Sequence, residues 1–332
     1  MIFLGLKLMA NFKLIASYLI SLIIIGAILY TIDLSNVLAQ IMSFGIIETL
    51  IGFVLVFLSY VFRAILWKQL LSPFTDVGLK KTYHITIIGF FINNFLPLRA
   101  GEIARAFLLH KSHAIGKLKI FSTIIVERLI EGLSLVFIFV IAMLFIPQIS
   151  EELFVLMILS AILFFGLFLA FIFSSYTEKI LEKIFGFSES LKEKIIFLFK
   201  ELFIGEAALK KGIKENIVIW GSSLILWGIY FILYFFVALT LGIQIGFFEL
   251  VIVLAVSSLS TIIPSAPGYI GTFEAGFVLA FAALGLSVET AISMAIIIHL
   301  LFFIGTTILG FVSLKGLNIS LTDLTKIGSK TK

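Results

Sequence analysis

The chain has 332 residues, 61% hydrophobic and only 13% charged, with a formal net charge of +5. Several apolar runs reach the roughly 17–25 residues of a spanning helix, which places it among polytopic membrane proteins. Basic residues interspersed with acidic ones argue against a nucleic-acid partner, and a chain with no cysteine has no disulfide, thiolate nucleophile or cysteine-based metal site.

Lys7 and Lys13 precede the first apolar run, Leu14–Tyr30. No small-residue cleavage site follows, so the run reads as an uncleaved span and not as a signal peptide. About six full spans are expected, at Leu14–Tyr30, Ile46–Leu66, Ile120–Ile146, Phe154–Phe173, Ile217–Leu241 and Val288–Val312. Two other segments are broken pairs: His84–Leu96 with Ile103–Leu109, and Leu250–Ile263 with Tyr269–Leu284. Apolar runs of about 10–14 residues suit re-entrant or interfacial segments. Broken backbone at membrane depth survives only where protein or a water-filled cavity satisfies its polar groups. Residues 174–215 alternate apolar positions with lysine and glutamate at helical spacing, as a helix lying on the cytoplasmic interface would.

The lysines set an orientation. Lys7 and Lys13 put the N-terminus in the cytoplasm, and residues 31–44, without Lys or Arg, lie outside. Lys80 and Lys81 precede the first broken pair and Lys111, Lys117 and Lys119 follow it, so that pair dips in and returns. Lys315, Lys326, Lys330 and Lys332 keep the C-terminal end cytoplasmic. The expected architecture is an all-α cell-membrane protein whose halves, about 10–150 and 151–316, form an inverted repeat. Together they make a single transmembrane domain, 1–316, with a tail at 317–332. Interrupted segments at matching positions of such halves point to a binding site. Here they share a spacing, Pro97-x-x-x-Gly101 and Pro264-x-x-x-Gly268, with Pro267 inside the second.

Ionisable residues cost about 2.5–3.5 kcal/mol each at a spanning-helix centre on insertion scales, so they face a cavity or a partner. Arg99, Glu102 and Arg105 fall within seven positions after Pro97. A helix starting at Gly101 offers free N–H groups and a positive dipole end to an anion, and the arginines suit a phosphate or carboxylate. The bland alternative is that Glu102 and Arg105 pair with each other. Glu127 and Glu131, four apart on one face, have Arg128 between them, and Arg105 and Arg128 can balance both. Arg63 either snorkels or joins this network. Glu274 follows Gly268 near a helix start, where it either complements the helix dipole or faces the cavity as an acid. His299 reads as a packed histidine, and His110 with His113 lacks a third ligand, so no metal or cofactor is expected.

At these residues the chain resembles the transmembrane, flippase-like region of lysylphosphatidylglycerol synthases and its stand-alone relatives. The resemblance rests on Asn94-Phe-Leu-Pro-Leu-Arg-Ala-Gly-Glu-Ile-Ala-Arg-Ala-Phe107, on Glu127-Arg128 and on Pro267-Gly-Tyr-Ile-Gly-Thr-Phe-Glu274. It covers about Ala10 to Gly316, and departs at Leu98, where the family often has a small residue. It implies movement of a phospholipid or polyprenyl-linked lipid between leaflets. Arg99, Arg105, Arg128, Gly101 and Gly268 would then hold the head group, and Glu102, Glu127, Glu131, Glu274 and Arg63 would form a charge network. The chain ends soon after its last span, so the synthases' soluble aminoacyl-transferase domain, and with it lysyl transfer, is not expected. Two rivals remain from other classes. One is a membrane-embedded lipid-modifying enzyme using Glu102 or Glu127 as acid or base. The other is an accessory subunit working with a lipid-modifying or glycan-assembly enzyme.

Overall fold

A computed structural model describes residues 18–320 apart from 29, 31–32, 98, 147–149, 174–175, 179–182, 185–188 and 264. Pro264, Lys7, Lys13 and the tail lysines Lys326, Lys330 and Lys332 therefore lie outside the described residues, as does Leu98. The described residues are helical, with no strand among them. The helices are α1 (Tyr18–Ile28), α2 (Leu34–Met42), α3 (Ile46–Leu71), α4 (Leu79–Phe95), α5 (Ala100–Ser112) and α6 (Lys117–Met143), followed by α7 (Glu151–Ile172), α8 (Glu189–Phe203), α9 (Ile213–Thr240), α10 (Phe247–Ser260), α11 (Thr272–Ala283) and α12 (Val288–Gly316).

Four of these, α3, α7, α9 and α12, are long and apolar enough to cross a membrane. α6 has 27 residues but carries Glu127, Arg128 and Glu131 in its middle. The apolar window of α7 is 11% buried, against 39% to 44% in the other three, so α7 turns most of its surface outward. An unexpected helix, α2, occupies part of the expected outer loop. Its start is fixed by Asp33, whose carboxylate accepts from the Ser35 amide at 2.9 Å, a side-chain cap for an otherwise open N–H.

The two broken pairs are antiparallel helical hairpins. In the first, α4 is longer than its apolar run because the turn carrying Lys80 and Lys81 is helical too. Its 17 residues cover about 25 Å, and the 13 of α5 about 20 Å, so the tip lies far from the Lys80 end. α5 folds back so closely that a Cβ on Gly101 would stand 1.8 Å from the Gly89 carbonyl oxygen. Only glycine fits there. In the second hairpin α11 returns along α10 through Gly276, where a Cβ would lie 2.6 Å from Ser257 Cα. Small residues permit such contacts between membrane helices, where packing rather than water expulsion drives association.

Long helices brace the hairpins: α3 packs on α9, and α12 on α4. Polar pairs join the helices, Tyr60 of α3 with Thr306 of α12 at 2.7 Å, Tyr234 of α9 with Ser257 of α10 at 3.0 Å and His84 of α4 with Ser313 of α12 at 3.1 Å. Each contributes about 0.6 kcal/mol in a bilayer by typical measurements. A core around Trp67, Leu66, Leu70, Ile85 and Ile88 is fully buried on the Lys80 side of the hairpin.

Candidate functional site

The hairpin tips meet. Pro97 lies in the bend after α4, and Arg99, which precedes α5, adopts a left-handed backbone at φ 53°. That conformation costs a non-glycine residue about 1–2 kcal/mol, and what it achieves is aim: Arg99 Nη2 donates to the Thr261 carbonyl at the end of α10, at 3.0 Å. The second tip carries a short 3-10 turn, Pro267–Tyr269, with positive φ at Gly268, Tyr269 and Gly271. The Arg99 guanidinium stands 5.8 Å from the Tyr269 ring centroid.

Two cavities share this junction. The larger, about 560 Å³, is lined at its polar end by Arg63, Arg99, Arg128, Glu131 and His299. Tyr60, Phe90, Trp227, Tyr230 and Phe302 form its aromatic walls, and Leu163, Phe164 and Leu167 of α7 form an apolar one. The smaller, about 230 Å³, lies between the tips against Asn93, Pro97, Ser265 and Ala266. Arg99, Thr261, Ile262, Gly268 and Tyr269 line both. Arg99 and Tyr269 therefore form the constriction between them.

Behind the polar end sits a buried ion network. Arg105 grips Glu127 with both terminal nitrogens, at 3.2 and 2.5 Å, in the bidentate form that gives arginine its specificity. Its guanidinium lies 4.0 Å over the Trp67 ring, and the Trp67 indole donates to Thr123 at 3.0 Å. Arg128 bonds Glu127 as well and reaches Glu131 at 2.9 Å. Glu131 also takes Arg63 at 2.8 Å, while the second terminal nitrogen of Arg63 donates to the Tyr230 hydroxyl at 3.1 Å. Three arginines against two carboxylates leave one positive charge in excess. Arg63 and Arg128 also share the face of Phe90, at 4.6 and 5.3 Å.

Not every residue singled out from the sequence lines a cavity. Arg105 is 1% exposed and faces Trp67 and Glu127. Glu102 does not form an ion pair with Arg105; its Oε2 accepts from Asn93 at 3.2 Å. The Gly101 amide donates to Asn93 Oδ1 at 2.7 Å, so that N–H is already used. Asn94 ties the first tip to α12 through the Phe303 carbonyl and Thr307. Glu274 Oε2 caps α11 by accepting from the Gly271 amide at 2.7 Å, and its other oxygen lies 2.5 Å from His299 Nδ1. No group of three His, Asp or Glu side chains that could hold a metal occurs among the described residues.

This geometry defines an all-α polytopic membrane protein with a charged, aromatic-walled cavity beside the tips of two helical hairpins. The chain belongs to the lysylphosphatidylglycerol synthase transmembrane-region family, whose model matches residues 14–310. It is 28% identical to a UPF0104 membrane protein of Pyrococcus horikoshii over 318 residues, 87% of this chain and 94% of that protein. A UPF0104 membrane protein of Methanocaldococcus jannaschii is 23% identical over 313 residues, 89% of this chain and 92% of the relative. No solved structure matches the chain significantly.

Proposed function

We propose that the protein moves a lipid with an anionic or polyprenyl-linked phosphate head group between membrane leaflets. The observation that carries this reading is the asymmetry of the larger cavity, cationic at Arg63, Arg99 and Arg128 and wholly apolar along α7. An anionic head group fits the first end, and acyl or prenyl chains fit the second, beside a helix that is mostly uncovered. Arg99 makes no ion pair among the described residues, so its charge is open to a ligand. Arg105 acts from behind by holding Glu127, and through it Arg128.

The repeated order of long helix, hairpin and long helix supports an inverted repeat, with alternating access at the junction of the tips. The lysine distribution supports a cell-membrane location with both termini cytoplasmic. An acid–base role suits Glu127 poorly, because guanidinium groups occupy both of its oxygens. A lipid-modifying or glycan-assembly enzyme working nearby would be a partner, supplying or consuming the lipid.

Leaflet exchange of head-group-labelled lipids in liposomes tests this, comparing wild type with Arg99→Asn. Asparagine tolerates the left-handed backbone and leaves no carboxylate unpaired. Protein-dependent exchange of an anionic lipid, lost in the variant, is the expected result. No exchange from folded wild type with any lipid overturns the reading.

A further inference from the structure

His299 lines the larger cavity outside the arginine network, and Glu274 stands behind it. His299 Nε2 lies 2.7 Å from the Gly268 carbonyl oxygen, and Nδ1 lies 2.5 Å from Glu274 Oε1. A carbonyl oxygen only accepts, so the first contact needs a hydrogen on Nε2. The second needs a proton between Nδ1 and the carboxyl group. Two contacts therefore require two hydrogens, one more than neutral histidine and carboxylate hold between them.

We infer that His299 and Glu274 form a site for one exchangeable proton, and that this proton latches the second hairpin tip and sets the Arg99–Tyr269 constriction. Loading the proton satisfies both contacts. Releasing it to water leaves the pair with one unbalanced negative charge and one lone pair facing an acceptor. Either the Gly268 contact or the Glu274 contact must then open. Gly268 immediately precedes Tyr269, the ring under Arg99, and Tyr269 holds a left-handed φ of 64°, a strained conformation for a non-glycine residue that needs support from its surroundings. Glu274 Oε2 is bonded to the Gly271 amide, so the same carboxyl group grips both ends of the turn. His299 lines the larger cavity and is 15% exposed at its side chain, which gives the proton a route out.

Other charged and titratable groups reach the cavity from α3, which brings Tyr60 and Arg63, from α6, which brings Arg128 and Glu131, from α9, which brings Tyr230 and Tyr234, and from the hairpin tips, which bring Arg99 and Tyr269. α4, α7 and α10 present only neutral side chains to it. Arg63 and Arg128 are already paired with Glu131, and Glu274 is the one ionic partner His299 has among the described residues.

The latch itself is a statement about the turn, whereas its effect on lipid movement rests on the transport reading. Amide hydrogen exchange, read by mass spectrometry on protein in lipid nanodiscs and corrected for the intrinsic pH dependence, tests the latch without any transport. Between about pH 5 and pH 9, which brackets an ordinary imidazole, protection of residues 268–271 in wild type should fall about tenfold. Glu274→Gln should abolish that change and stay protected. Its amide donates to Nδ1 and accepts from Gly271 with no proton to lose. His299→Ala should be unprotected at both ends of the range. Flat protection in wild type, or a Glu274→Gln profile that follows wild type, overturns the proposal. Leaflet exchange over the same pH range should follow the protection profile and lose its pH dependence in Glu274→Gln. A switching turn with no exchange at any pH keeps the latch and sinks the transport reading. Exchange with the same pH dependence in both proteins sinks the link between latch and constriction.

Discussion

Arg99 and Thr261 join the tips of two hairpins that enter the protein from separate halves of the chain, through one hydrogen bond of 3.0 Å from guanidinium to carbonyl. The acceptor is backbone, so the bond does not neutralise the arginine. Arg99→Lys keeps the charge but loses the planar fork that reaches a carbonyl and a head group together. Exchange of anionic lipids should fall about tenfold, and the remainder should weaken further with added salt as a point charge is screened. Liposome assays at low and high ionic strength check this. Wild-type rates in the lysine variant would show that the fork is unnecessary.

Arg105 and Glu127 are both almost wholly buried, and removing one strands the other. Breaking such a pair costs about 3–5 kcal/mol, whereas replacing both by apolar groups is often neutral. Arg105→Met should therefore lower the unfolding midpoint in detergent strongly, and Arg105→Met with Glu127→Leu should recover part of the loss. The recovery will be incomplete, because Arg128 also bonds Glu127 and would lose that partner. A double variant no better than the single would mean that the pair contributes through shape alone.

Gly101→Ala should damage the first hairpin more than any loss of glycine flexibility explains. The added methyl group meets the backbone of Gly89, which has no rotamer to turn away. Overpacking costs typically 1–3 kcal/mol where neighbours can adjust, and this one cannot easily do so. The substitution should lower the unfolding midpoint and expose Asn93–Glu102 to proteolysis, while Gly166→Ala, with open space around it, serves as the neutral control.

Much of this arrangement was legible in sequence because it is local. Proline, glycine and arginine within a few residues of Pro97 mark a break, and Glu127, Arg128 and Glu131 share a helical face by spacing alone. What escaped depends on distant partners. Arg63 meets Glu131 across 68 positions and His299 meets Glu274 across 25, separations that no periodicity reveals. His299 therefore read as a packed histidine, although a carboxylate 25 positions away uses its second nitrogen. Gly89 looked ordinary until α5 was laid against it. The Gly101 amide seemed free for an anion because nothing in the spacing shows that Asn93, eight residues earlier, turns back to take it. The alternative pairing of Glu102 with Arg105 does not form, because Glu127 offers Arg105 both oxygens and Asn93 donates to Glu102.

The orientation of the first hairpin yields the last prediction. Lys81 lies in the first turn of α4 and Lys117 begins α6, just after α5 has returned. An antiparallel hairpin brings both to one face of the membrane, and in the proposed orientation that face is cytoplasmic. The chain has no native cysteine, so Lys81→Cys and Lys117→Cys each give a single thiol on a clean background. A membrane-impermeant maleimide applied to intact cells should label neither, and both should react once the membrane is opened. A control thiol at Asp33, which caps α2 in the segment expected outside, should react from the outside in intact cells. Labelling of Lys81→Cys and Lys117→Cys from opposite sides would require α4 to cross completely while α5 failed to return, which the close contact of Gly89 with Gly101 forbids. That result would overturn the hairpin, and with it the meeting of the two tips on which the constriction depends.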